Sequence, residues 1–193
     1  MKQIEGVHRA VVTDVRDTEG LGRVEVKAPA VAAEPMWAPL ATLMAGDQHG
    51  TWFVPDVGDE VLVAFEAGDA RRPVVIGSLW SAKARPPQSM DSAAANPVRL
   101  IRTPSGLEIR LDDAAGRVTV STPDGASITL EHGNVTIQAS STVEIDASRI
   151  KLSAGEVEVE AGIAKFGGVV ECDTLIATSV VASSYTPGAG NQL

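Results

Sequence analysis

From residue 107 onward the chain repeats one small pattern: two apolar residues flanking a single residue, then a turn. The pairs are Ile109/Leu111, Val118/Val120, Ile128/Leu130, Val135/Ile137, Val143/Ile145, Ile150/Leu152 and Val157/Val159, followed by the weaker Ala164/Phe166. From Ile128 the first members lie 7, 8, 7, 7 and 7 residues apart. A seven-residue period also marks coiled coils, but those place apolar residues three and four apart. Here the spacing inside each pair is two, the period of a strand. Between the pairs lie Pro123-Asp124-Gly125, His132-Gly133-Asn134, Ser140-Ser141-Thr142, Ala147-Ser148 and Ala154-Gly155, mostly turn formers and weak helix formers. Each repeat is therefore predicted to be a short strand and a turn, apolar on one face. The other face bears Glu, Asp, Thr, Ser and Lys, most plainly at Glu156-Val157-Glu158-Val159-Glu160.

Strands with two apolar residues each do not build a sandwich core. One such chain alone exposes an apolar stripe and unpaired strand edges. Three copies wound round a common axis remove both problems, because edges pair between chains and slim side chains fill a narrow shared interior. The repeats thus predict an obligate homotrimer with those fourteen residues, Ile109 to Val159, as its core. Two-chain and single-chain β-solenoids are the alternatives.

Residues 1–80 read differently, as an irregular all-β domain. Alternating or β-branched runs occur at 8–15, 23–27, 37–43, 51–54, 60–65 and 74–79, punctuated by Gly, Pro and Asp. Five or six short strands in about 80 residues suit a small closed barrel such as the OB-fold. Residues 81–106, with four prolines, read as a linker leading into the repeats. The expected organisation is an OB-fold barrel over 1–80, the linker over 81–106, a triple-stranded β-helix over 107–184 and a tip over 185–193.

Composition narrows the chemistry. Aromatic residues are 4% of the chain and sit mainly in the first 80 positions, so Val, Ile, Leu and Ala must hold the second half. The single cysteine, Cys172, excludes an intrachain disulfide and is expected as a small buried apolar residue. No secretory signal and no run long enough for a transmembrane helix is present, so synthesis in the cytoplasm is expected. Residues 1–106 carry 13 acidic and 11 basic side chains, whereas 107–193 carry 12 and 5. An acidic half repels phosphate, which disfavours nucleic acid as a partner.

The first domain contains Leu21-Gly22-Arg23-Val24-Glu25-Val26-Lys27, Met36-Trp37-Ala38-Pro39-Leu40, Gly50-Thr51-Trp52-Phe53-Val54-Pro55-Asp56-Val57-Gly58-Asp59-Glu60-Val61-Leu62-Val63-Ala64-Phe65, Gly68-Asp69 and Arg72-Pro73-Val74-Val75-Ile76-Gly77-Ser78-Leu79-Trp80. This ordered series resembles the OB-fold of phage baseplate assembly protein V, a family related to the central spike of T-even tails and the valine-glycine repeat spike of type VI secretion. Gly58 and Gly68 are expected in turns with positive φ, and Val61, Val63 and Phe65 inside the barrel. Trp37, Trp52 and Trp80 are expected as packing wedges in the barrel or between subunits; a base-stacking platform is the alternative.

The resemblance implies an all-β protein: an N-terminal OB-fold barrel followed by a C-terminal intertwined trimeric β-helix. It implies a structural spike of a contractile tail baseplate that pierces the host outer membrane, located in the virion or an equivalent injection particle. A binding module, an OB and β-solenoid adhesin for surface glycan, is the alternative. About seven residues precede the first strand, so the hub that holds the barrel end is expected as a separate protein.

The resemblance also bears on catalysis and metals. The T-even spike carries a lysozyme domain between barrel and helix, where this chain has only the linker and one carboxylate, Asp91. Glycoside hydrolysis needs two positioned carboxyl groups, so no enzyme activity is expected. Asp112-Asp113 and the row Glu156, Glu158, Glu160 are the remaining carboxylate candidates, read as solvated. Some short spikes of the family end in a His-x-His pair that binds iron. Here the histidines are His8, His49 and His132, none later, so no metal or other cofactor is expected. A blunt end at 185–193 would suit a cap formed by a small proline-alanine-alanine-arginine (PAAR) repeat protein.

Overall fold

The computed structural model describes residues 3–90 and 95–184. Asp91 and the expected tip at 185–193 lie outside them. Among the described residues the only helical element is a single 3-10 turn, Glu66–Gly68, and no helix is long and apolar enough to cross a membrane. The chain divides into two compact units, residues 1–142 and 143–193.

The first unit begins with a barrel. Strands β1 (Val7–Asp14), β2 (Arg23–Lys27), β3 (Met36–Pro39), β6 (Glu60–Phe65) and β7 (Pro73–Leu79) form one antiparallel sheet in the order β3-β2-β1-β6-β7. The sheet curls shut where Leu40 bridges Val75 in parallel, with the Ala41 amide donating to the Val75 carbonyl at 2.8 Å. Register shifts at Val12/Asp14 and at Leu62/Val63 sharpen the curvature. Between β3 and β6 a two-residue hairpin, β4 (Ala45–Gly46) and β5 (His49–Gly50), stands in for the strand expected at 51–54. Gln48 takes φ 57° there, and the Thr51 amide returns to the Met44 carbonyl at 2.9 Å. The expected strand at 37–43 stops at Pro39, which has no amide proton for a ladder.

Alternation places the core. Val61, Val63 and Phe65 of β6 point inward with Ala10, Val12, Val24, Val26, Ala28, Ala38 and Val75, all buried. The interior is therefore built from valine and alanine side chains with one aromatic ring, Phe65, and no tryptophan is part of it. Trp37 is half-buried with the Arg23 guanidinium carbon 5.7 Å from its ring centre, while Trp52 and Trp80 are exposed at 77% and 68%. That corrects the barrel half of the wedge expectation: valine, alanine and Phe65 fill the interior, and the indoles lie outside it. Gly58 and Gly68 take φ 98° and 72°, as their turns require.

One carboxylate ties the long β1–β2 connection to the barrel. Asp17, with a side chain only 7% exposed, accepts the Arg23 guanidinium at 2.8 Å. It also accepts the amides of Glu19 at 3.1 Å and Leu21 at 2.8 Å. The guanidinium is the main reason the Asp17 carboxyl sits well below the usual carboxylate range.

The first unit continues with a second five-stranded antiparallel sheet: β8 (Val98–Arg102), β9 (Glu108–Asp112), β10 (Arg117–Ser121), β11 (Ser127–Glu131) and β12 (Asn134–Gln138), in sequential order. The second unit contains no strand among its described residues.

Because the folded pKa of Asp17 lies below its unfolded value of about 3.9, its stabilisation is complete above that value and disappears as pH falls through the folded one. Asp17→Asn should lower the barrel's melting temperature at neutral pH. The gap from wild type should stay constant above pH of about 5 and close as acid is added below about 4. Thermal melts followed by circular dichroism across that range check it.

Candidate functional site

Turn chemistry makes the second sheet a meander. Thr103 starts the β8–β9 turn, its Oγ1 accepting the Leu107 amide at 3.1 Å. Thr122 Oγ1 takes the Ala126 amide at 3.3 Å in the β10–β11 turn. His132 and Gly133, with φ 49° and 81°, join β11 to β12 in a two-residue turn with both centres left-handed. Short turns bring consecutive strands into register within one chain, so the inner ladders of 98–138 form inside the chain and β8 and β12 are left as its edges.

That register stacks the apolar pairs into two rows on one face. Ile101, Ile109, Val120, Ile128 and Ile137 lie side by side across five strands. Arg99, Leu111, Val118, Leu130 and Val135 form the second row. Arg99 is the one charge on the face, at its β8 corner, paired with Asp113 at 3.0 Å. The opposite face carries the ladder Arg110, Thr119, Thr129, Thr136 and the ion pairs Arg102–Glu108 at 2.5 Å and Arg117–Glu131 at 2.6 Å. The Arg117 hydrogen bond holds the Glu131 carboxyl below its usual range.

The burial of this sheet is inverted. In β9, Glu108, Arg110 and Asp112 are half-buried while Ile109 and Leu111 are exposed, and β11 repeats the arrangement. Polar side chains cover each other on one face, and among the described residues nothing covers the apolar one. Burying a Val, Leu or Ile fully is worth about 1.5–3 kcal/mol. These residues are already partly shielded, so covering the sheet's eight predicted core positions gains on the order of 10 kcal/mol per chain. That is comparable to the cost of association, about 4–15 kcal/mol, so a cover made of further chains is affordable only if the face is long.

The second unit, taken by itself, carries apolar pairs of the same spacing. After residue 142 no strand and no backbone–backbone hydrogen bond forms within the chain among the described residues. The alternation nevertheless continues: Val143, Ile150 and Val157 share one exposure (55–57%) and Ile145, Leu152 and Val159 another (68–72%). Equal exposure at a seven-residue interval means that each repeat takes up the same local geometry. Amides and carbonyls that find no partner in their own chain must find one elsewhere once covered, at about 1–3 kcal/mol for each left unmade.

All fourteen predicted core residues, from Val118 at 37% to Leu152 at 72%, are exposed in the isolated chain. The structure aligns the eight between Ile109 and Ile137 directly and does not pair the six from Val143 to Val159. It adds Ile101 and the corner Arg99, on a strand inside the segment expected as linker. The signal was present as alternation in Val98-Arg99-Leu100-Ile101-Arg102, but both faces carry apolar and charged residues there. Cys172 is exposed rather than buried, because 143–184 has no second layer of its own. Of the carboxylate candidates, Asp113 is paired with Arg99, Asp112 caps its turn through the Ala115 amide at 3.1 Å, and Glu156, Glu158 and Glu160 are exposed.

Comparison with known proteins identifies both parts. Residues 8–80 match the type VI secretion system/phage-baseplate injector OB domain, and residues 98–164 match the phage baseplate V C-terminal trimerisation domain. Among curated relatives, the chain is similar to type VI secretion system spike protein VgrG3 of Vibrio cholerae, 28% identical over 127 residues, 59% of this chain and 12% of that protein. Spike protein VgrG1a of Pseudomonas aeruginosa is 29% identical over 86 residues, 42% of this chain and 13% of that protein. Actin cross-linking toxin VgrG1 of Vibrio cholerae is 30% identical over 84 residues, 42% of this chain and 8% of that protein. The chain thus spans about an eighth or less of each of these relatives.

Ile137→Asp and Ile145→Asp place a carboxylate in the stripe of every copy, at several kcal/mol for each uncompensated charge. Both should reduce the trimer to monomer or aggregate in multi-angle light scattering, whereas Glu158→Ala should leave the mass unchanged.

Proposed function

The chain belongs to the baseplate V and type VI secretion spike family, carrying its OB domain and its trimerisation domain, and from that membership we propose that three copies form the central spike of a contractile injection machine and pierce the target outer membrane. The carrying observation is the uncovered apolar face of 98–138 together with the backbone of 143–184, which has no backbone partner in its own chain among the described residues. Both needs are met if three chains wind into an intertwined β-helix with Ile109, Leu111, Val118, Val120, Ile128, Leu130, Val135, Ile137, Val143, Ile145, Ile150, Leu152, Val157 and Val159 as its interior. In such a structure every strand edge pairs, which gives resistance to bending under load.

The work is mechanical on this reading, and the chain is not an enzyme. Its carboxylates are paired with arginine, spent on turns or solvated, and the relatives matched include proteins named as spikes. A separate hub protein would hold the barrel end, a PAAR-type protein would cap the other, and the working location is the assembled injection particle. The acidic exterior keeps the shaft soluble and free of anionic surfaces.

Particles assembled with Ile145→Asp in place of the wild-type chain should lose outer-membrane permeabilisation, read as hydrolysis of an excluded chromogenic substrate by a periplasmic enzyme. Particles with Glu158→Ala should retain it. Wild-type permeabilisation by the Ile145→Asp particles would overturn the reading, and so would a purified chain that binds glycan as a stable monomer.

A further inference from the structure

The charges of the second unit are placed as regularly as its apolar pairs. Over 143–167 the chain carries five acidic and three basic side chains, all exposed. Each of the eight stands between the members of a pair or directly beside one, and the turns at 147–148, 154–155 and 161–162 carry none. The central residue alternates in sign at the seven-residue interval: Glu144, Lys151, Glu158, Lys165. The position before each pair reads Thr142, Arg149, Glu156 and Ile163, and the position after it Asp146, Ser153, Glu160 and Gly167. Wherever two successive repeats are both charged at one position, the signs are opposite. Among the described residues none of the eight has an ion-pair partner in its own chain, unlike Arg102–Glu108 and Arg117–Glu131 in the meander.

Three identical chains that each advance one face per repeat build every face from consecutive repeats, drawn from the three chains in turn. A residue of one chain then has, on the next strand of its face, the residue one repeat further along a neighbouring chain. Adjacent strands lie about 4.7–4.9 Å apart, so opposite charges at such positions attract and like charges repel. Glu144 of one chain meets Lys151 of the next, which meets Glu158 of the third, and Arg149 meets Glu156 in the same way. Within a single chain these residues are one face apart and do not meet. The apolar pairs cannot supply the same discrimination. Val143/Ile145, Ile150/Leu152 and Val157/Val159 are close in size, so a chain slipped by one repeat keeps most of its packing. The slip sets Glu144 beside Glu158 or beside the Glu144 of a second copy, like against like.

Resting on the intertwined trimer of the spike reading, we propose that Glu144, Lys151, Glu158 and Lys165 form an interchain charge ladder through which three copies of this chain recognise one another and lock in a single register. The partner it fits is a second copy of the same chain, with the same signs in the same order. A chain with similar apolar pairs and another order of charges is rejected by repulsion.

The test compares two reversals in the full-length chain, Glu158→Lys and Glu160→Lys, which change the net charge equally and lie two residues apart. Glu158→Lys sets three cations in succession on the ladder, whereas Glu160 has Ser153 and Gly167 as its neighbours. At equal chain concentration and low salt, Glu158→Lys should lower the melting temperature of the trimer by about 5 °C or more. That loss should shrink in salt of about 1 M, where the Debye length is about 3 Å. Glu160→Lys should melt at or above the wild-type temperature. The fourfold exchange Glu144→Lys, Lys151→Glu, Glu158→Lys and Lys165→Glu restores the alternation and should restore the melting temperature. Co-expressed with wild type, the exchanged chain should sort into unmixed trimers, read by native mass spectrometry. Loss of the trimer by Glu158→Lys alone also supports the ladder. Equal behaviour of Glu158→Lys and Glu160→Lys overturns the proposal, as does a fourfold exchange that melts no higher than Glu158→Lys, or mixed trimers in the proportion of random assortment. A wild-type trimer indifferent to Glu158→Lys removes the ladder and leaves the spike standing. A wild-type chain that forms no trimer removes both.

Discussion

Everything in the second half of this protein follows from a shortage of layers. A strand that offers two apolar residues to one face can be covered only by something lying across it. The barrel meets this requirement itself: its sheet bends at two register shifts and closes where Leu40 meets Val75, so Val12, Val24, Val61 and Val63 cover each other. The meander of 98–138 does not close. Its strands are ordered as they come along the chain, its apolar rows all face one way, and β8 and β12 remain as edges. Over 143–184 the backbone forms no backbone–backbone hydrogen bond in its own chain among the described residues. The cover has to be more of the same chain.

That requirement explains the choice of side chains. In the proposed trimer, an interior shared by three copies round an axis is narrow and has to accept the same residue three times at each level. Val, Ile and Leu suit it, and aromatic rings do not, which agrees with aromatic residues being nearly absent from the repeats. On the opposite face, arginine–carboxylate pairs and a threonine ladder hold the surface polar without lysine-rich patches. The glutamates of those pairs are half-buried in one chain while their arginines are exposed, so the polar face is partly covered before assembly and the apolar one is not. Assembly then resembles the closing of a core more than the docking of finished proteins.

The barrel follows a different logic, and its exposed residues reflect that. Trp52 and Trp80 project from a domain whose interior is already full. Asp17 fixes the loop after β1 through two amides and the Arg23 guanidinium, and Arg23 in turn lies over Trp37. This ties Trp37 to a rigid frame.

Much of this was readable from residue order alone, because alternation is a local property. The strands at 23–27 and 60–65 agree with their sequence runs to the residue, and the apolar pairs from Ile109 to Ile137 fall on strands as their spacing of two requires. Composition and turn residues sufficed to reject a coiled coil. Other features depended on which segments meet in space. Leu40 became the barrel's closing bridge instead of a strand residue, residues 41–55 became a hairpin flap, and Val98–Arg102 became a strand because β9 lay beside it. The outward position of the tryptophans and the exposure of Cys172 likewise depend on how much room the neighbouring layer leaves. Sequence determined which face of each strand is apolar, since that depends on parity along the chain. Tertiary structure decided which of those faces the chain covers by itself, since that depends on whether a sheet can curl far enough to meet its own far edge.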